Sequence, residues 1–133
     1  MNVKGVYDEI KSTICKDTNP FTLYDTISNT LSMPKRIRVD TDVSVFPICI
    51  RYAYNSHMVV CVYIKESSTM TYFNPDNHHS REDYFVADQM QTAISKILCK
   101  PVRTVMETGP NTEFDCVSLC LKKIISILKQ NGF

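Results

Sequence analysis

The run His57-Met-Val-Val-Cys-Val-Tyr-Ile64 constrains the fold more than any other stretch, because it is apolar at almost every position. A strand with one wet face alternates polar and apolar residues. A strand that is apolar throughout must be covered on both faces and lie inside a sheet. Residues 43–54 read as its partner, with Phe46, Ile48, Ile50, Tyr52 and Tyr54 on alternate positions of a half-buried strand. Pro47 lacks an amide hydrogen and predicts an edge or a bulge there. Asn55-Ser56 predicts a turn into the central run and residues 65–68 a turn out of it. Residues 69–73 then form a third strand, ended by Asn74-Pro75-Asp76-Asn77.

The flanks are helical in pattern. Val3, Val6, Tyr7, Ile10 and Ile14 predict a helix over 3–15, which Asp17-Thr-Asn-Pro20 breaks. Leu23, Ile27 and Leu31 predict a second helix over 21–31, followed by a basic patch at 33–38 that reads as a solvated loop. A polar stretch from His78 to Asp83 precedes a longer helix marked by Phe85, Met90, Ala93, Ile94, Ile97 and Leu98, and residues 101–106 form a short extended piece. This order predicts a single α+β domain over 1–133, with a largely antiparallel sheet and packed helices.

The chemistry gathers near the end of the chain. The turn Gly109-Pro110-Asn111 delivers Asp115 and Cys116 to the first turn of a helix whose core face carries Val117, Leu121, Ile124, Ile125 and Leu128. Asp115 is a good N-cap. A cysteine at a helix start feels the positive end of the dipole, which lowers its pKa, and lies among free amides that could stabilise an oxyanion. A small buried thiol is the commoner fate of such a residue, so the partners decide. His57 enters the central strand and Asn74 leaves the next one. A hairpin around 65–68 therefore brings both to one end of the sheet. Cysteine, histidine and asparagine form a working set: the imidazole takes the thiol proton and the amide orients the ring. Asp76 is an alternative orienting group.

Composition excludes several other classes. The net charge is +1, which gives no bulk attraction to nucleic acid or membrane. No apolar run approaches the ~20 residues of a membrane span. The first residues hold no apolar signal core, so secretion is not expected. The six cysteines (15, 49, 61, 99, 116 and 120) show no Cys-x-x-Cys spacing and sit in apolar runs or one helical turn apart, which fits a reduced, intracellular protein. Neither a metal site nor a required cofactor is indicated: His78 and His79 read as solvent-facing. Lys122 stands where a Cys-x₅-Arg phosphatase loop needs arginine.

The segment from His57 to Asn74-Pro75, followed by Gly109-Pro110-Asn111, Cys116 and Cys120, resembles the adenovirus maturation protease. More broadly it is similar to the clan of proteases specific for SUMO and other ubiquitin-like proteins. The resemblance covers about residues 45–128. It implies a thiol protease with Cys116 as nucleophile, His57 as general base and then acid, and Asn74 as orienting residue. The backbone amide of Cys116 would serve the oxyanion. The family's oxyanion glutamine is absent, and Asn111 is a substitute donor. Met58 replaces the usual tryptophan and Val117 the usual glycine.

The resemblance also implies a viral or virus-like protein acting in the host cell or virion. It would cleave precursor proteins or ubiquitin-like conjugates. Cys99 precedes Cys116 by about the interval at which the adenoviral enzyme holds a cysteine bonded to a peptide cofactor; a buried helix-end cysteine is the plainer reading. The competing function is a weak or inactive protease-like module that binds a protein partner.

Overall fold

The computed structural model describes residues 1–110 and 115–133. In chain order the elements are α1 (Val3–Thr13), β1 (Thr22–Asp25), β2 (Thr30–Ser32), β3 (Val43–Arg51), β4 (Ser56–Ile64), β5 (Thr69–Asn74), α2 (Arg81–Leu98), β6 (Arg103–Thr108) and α3 (Cys116–Gln130). The strands form one six-stranded sheet in the order β2-β1-β3-β4-β5-β6. The β1–β2, β3–β4 and β4–β5 pairs are antiparallel, while β1–β3 and β5–β6 are parallel. The architecture is α+β with a mixed, mostly antiparallel sheet, as the element order predicts.

β4 is central and buried on both faces. Met58, Val60, Val62 and Ile64 pack with Val45, Phe73, Ile10 of α1 and Cys120, Ile124 and Ile127 of α3. Val59, Cys61 and Tyr63 point the other way, into a core shared with Phe46, Ile48, Tyr72 and Val86, Met90 and Ile94 of α2. Each such side chain contributes roughly 1.5–3 kcal/mol by leaving water. The two helical layers thereby hold the sheet from both sides.

Several expectations are corrected. Residues 21–31 form β1 and β2 rather than a helix. Leu23 and Ile27 are exposed, so the apparent helical stripe was never a core face. Thr22 and Tyr24 face inward instead, on the period of a strand. Asp25 accepts from the amides of Ile27 and Ser28, and Asn29 takes a positive φ of 54°, which makes the reversal a tight turn. β3 is an interior strand with every residue from Val43 to Ile50 buried, so Pro47 marks no edge. Its missing amide is tolerated because the β1 ladder begins only at Ile48, while an isolated bridge pairs Thr18 with Val45. β3 also stops at Arg51, and Tyr54 stands in full solvent. In α3 the buried positions are Cys120, Ile124 and Ile127, and Ile125 faces outward.

Gly109 ties the two halves of the chain's end together. Its amide donates to the carbonyls of both Asn74 (2.8 Å) and Asp76 (2.9 Å). A Cβ on Gly109 would collide with the Pro75 carbonyl, and backbone on backbone cannot yield as a flexible side chain can. Gly109→Ala should therefore destabilise the protein by about 1–3 kcal/mol, the ordinary cost of overpacking. A lower urea midpoint at unchanged slope would register it, and an unchanged midpoint would contradict this packing.

Candidate active site

The β3–β4 register sets His57 opposite Ile50 at the start of β4. Asn74 is the last residue of β5. The antiparallel β4–β5 pair therefore delivers both to one end of the sheet, as the hairpin argument requires. The His57 Nε2 lies 2.7 Å from the Asn74 Oδ1. Asp76 is a poorer partner: its Oδ2 is 3.7 Å from the same nitrogen, and its side chain is 53% exposed against 17% for His57. Asn74 is thus the nearer polar neighbour of the ring and Asp76 a more distant charge.

Cys116 completes the group from the opposite layer. It is the first residue of α3, capped by Asp115, whose carboxylate accepts from the Val117 amide at 3.1 Å. The thiol lies next to the His57 ring and the Met58 backbone, close enough for both to favour its ionised form. Met58 is fully buried and anchors α3 through a second thiol as well, Cys120 donating to its carbonyl at 3.4 Å. Helix and strand are pinned together beside Cys116 and His57.

The electrostatics follow from these contacts. Burial alone would lower the His57 pKa, but its bonds to Cys116 and Asn74 and the Asp76 charge outweigh burial and push it up to about 9. Burial would raise the Cys116 thiol, yet the His57 and Met58 hydrogen bonds and the imidazolium charge carry it below its ordinary value. Both shifts favour a thiolate–imidazolium pair. The other buried thiols move in the opposite direction. Desolvation pushes Cys49, Cys61 and Cys120 up.

The remaining sequence candidates fall outside this group. Asn111 lies outside the described residues. Cys99 is exposed and caps the far end of α2 in a left-handed conformation. It is a helix-end cysteine, but not a buried one, and α2 separates it by roughly 27 Å from the end that faces Asn74. His79 is half-buried rather than solvent-facing, with its Nε2 2.9 Å from the Glu107 carbonyl. All six cysteines are free. Among the described residues no cluster of three metal-ligating side chains occurs, and no helix is long and apolar enough to cross a membrane.

One residue escaped sequence reasoning. Asp83, in the first turn of α2, is fully buried and bonds to the Asn74 amide. The Ser80-x-x-Asp83 pattern advertised a helix start, and Tyr72 and Asn74 share a strand face by period two, but nothing in the spacing joined the two features.

A cleft of about 670 Å³ is bordered by Cys49, Arg51, Tyr52, Tyr54, Asn55 and Ser56, with β1 and β2 forming its other wall; His57, Asn74 and Cys116 do not line it. In the β ladder Cys49 sits opposite Met58, so the cleft ends next to the Cys116 side of the sheet.

No protein-family model matches the chain, and no curated protein matches it significantly in sequence. Solved structures do match. A structure of the SUMO protease Ulp1 with its catalytic cysteine oxidized to a sulfenic acid superposes with a TM-score of 0.55 at 11% identity, covering 72% of this chain and 46% of that one. The sulfinic acid form gives 0.56 at 12% identity over the same shares. The chain has the fold of the SUMO protease Ulp1. It spans about half the length of the Ulp1 chains it matches.

A thiolate–imidazolium pair at Cys116 and His57 would have a measurable pH window. Cys116 should be alkylated by iodoacetamide ahead of the exposed Cys99 at pH values below the ordinary thiol range, because its pKa is lowered. That lead should shrink above about pH 9, where His57 loses its proton and ordinary thiols ionise too. Alkylation resolved by cysteine with mass spectrometry tests this, with His57→Ala expected to abolish the lead. Equal rates at Cys116 and Cys99 across the range would refute the pair.

Proposed function

We propose that the protein is a cysteine endopeptidase acting on protein substrates, with Cys116 as nucleophile, His57 as general base and acid, and Asn74 as the residue that orients the ring. The observation that carries this reading is the position of one imidazole between the Cys116 thiol and the Asn74 amide oxygen. The Ulp1-like fold supports it, and so does the lowered thiol.

The reaction follows from the charges. The thiolate attacks the scissile carbonyl carbon. The amide of Cys116, one of the first amides of α3 that lack an intrahelical acceptor, can donate to the oxyanion that forms. The Val117 amide is already taken by Asp115. The imidazolium of His57 gives its proton to the leaving nitrogen, the C–N bond breaks, and a thioester remains. Neutral His57 then removes a proton from water, hydroxide adds to the thioester, and the acid leaves as the thiolate is regenerated. The cleft beside Cys49 offers room for the chain of a substrate.

By analogy with the matched fold, the substrate is a ubiquitin-like protein joined to a peptide; a viral precursor protein is the other source of the same peptide chemistry. The discriminating assay incubates the protein with SUMO–peptide and ubiquitin–peptide fusions and, separately, with a peptide library derived from a digested proteome. Cys116→Ala should abolish cleavage, and His57→Ala should lower kcat/KM by ~10²–10⁴. The wild-type pH profile should be bell-shaped, with its alkaline limb near the His57 value of about 9, because a neutral imidazole cannot protonate the leaving amine. A protein that cuts none of these substrates while keeping a selectively reactive Cys116 would instead be an inactive protease-like binding module.

A further inference from the structure

Asn74 poses a chemical question. A carboxamide can orient an imidazole in either of two ways, and only one is productive. With Oδ1 toward Nε2 it accepts the ring N–H, leaving Nδ1 to take a proton from the thiol. With Nδ2 toward Nε2 the ring carries its proton on the wrong nitrogen, and the amide opposes the imidazolium. Something must choose the orientation.

The choice is made behind Asn74, by Asp83. Its carboxyl oxygens receive Tyr72 Oη at 2.6 Å, Asn74 Nδ2 at 2.8 Å, the Ser80 amide at 2.7 Å and Ser80 Oγ at 3.1 Å. Its residue is fully buried, and no lysine or arginine forms a salt bridge to it among the described residues. Burial and the Asp83 charge hold the Tyr72 phenol far above its usual range, so it stays protonated and donates. Only the Asn74 amide lies between this carboxylate and the ring. The Asn74 Oδ1 also accepts from the Asp76 amide at 3.0 Å, which reinforces the same orientation.

We propose that Asp83 is a positioning residue of the site, fixing the Asn74 amide so that it accepts from His57 and passing its negative charge to the imidazolium through that amide. This extends the protease reading above and rests on it for its catalytic meaning, but its test needs no substrate. The groups facing His57 are Cys116 from α3 and Asp76 from the turn after β5. Those around Asp83 are Tyr72 on β5, Tyr52 in the turn between β3 and β4, and Glu82 at the start of α2.

The experiment is a ¹⁵N NMR titration of the His57 ring in the full chain, with Cys116 alkylation rates alongside. Asp83→Asn turns an acceptor into a competing donor and frees the Asn74 amide to flip. The His57 midpoint should fall by about one unit or more, and alkylation near pH 7 should slow by about tenfold. The exchange Asp83→Asn with Asn74→Asp places the carboxylate beside the ring and the amide behind it, and should restore both readings. Unchanged titration in folded Asp83→Asn would reduce Asp83 to a helix cap and overturn the proposal, as would an exchange variant that folds without restoring the midpoint.

The unaltered protein decides the matter should the variants not fold. The Asn74 side-chain NH₂ should exchange with solvent more slowly than an exposed amide, and free exchange there overturns the assignment. Absence of peptide cleavage by the unaltered protein, with these signals and the variant shifts as expected, would count against the protease reading alone.

Discussion

A strand covered by apolar layers on both sides is the constraint on which the rest of this molecule depends. In β4 either face would accept an apolar residue, so polarity alone does not fix its register. Shape does. Met58, Val60, Val62 and Ile64 meet α1 and α3, whereas Cys61 and the large Tyr63 meet α2, and a one-residue slip would trade these sets between cavities of different shape. Because register is held by volume over the length of β4, the first residues of the strand are held as well. His57 inherits its position from the core, although it belongs to the core only in part.

The site is then assembled from the ends of elements. The histidine is the second residue of β4, β5 ends at the asparagine, α3 begins at the cysteine and α2 begins just before the aspartate. Ends are where backbone groups lack partners, and here those groups are used: Asp115 meets a free amide of α3, Ser80 and Asp83 close the start of α2, and Gly109 satisfies two carbonyls of the turn after β5. The hydrogen bonds that finish the secondary structure are the same ones that aim the functional side chains.

Much of this was legible in the residues. The apolar run 57–64 required a covered central strand, and the turn at 65–68 then required His57 and Asn74 at one sheet end. The Asp115-Cys116 pair at the head of an apolar helix announced a capped thiol. What failed did so for definable reasons. Leu23, Ile27 and Leu31 matched a helical period by coincidence, in a segment whose turn chemistry at Asp25 and Asn29 outweighed it. Pro47 sits inside the sheet because an isolated bridge and a late-starting ladder leave room for it, which is a property of the neighbouring strand. Asp83 was visible only as a helix-start residue, since contact between α2 and β5 is a matter of packing and not of spacing.

The Gly109 clasp has a dynamic consequence. Its amide holds the carbonyls of both Asn74 and Asp76, so the strand leading toward the cysteine is fastened to the turn that carries the orienting amide. Breaking that fastening loosens the end of β6 and the backbone around Asn74 and Asp76 together. Local opening of this region is therefore cooperative. A single amide thereby links the fraying of a strand end to the fraying of the turn beside His57.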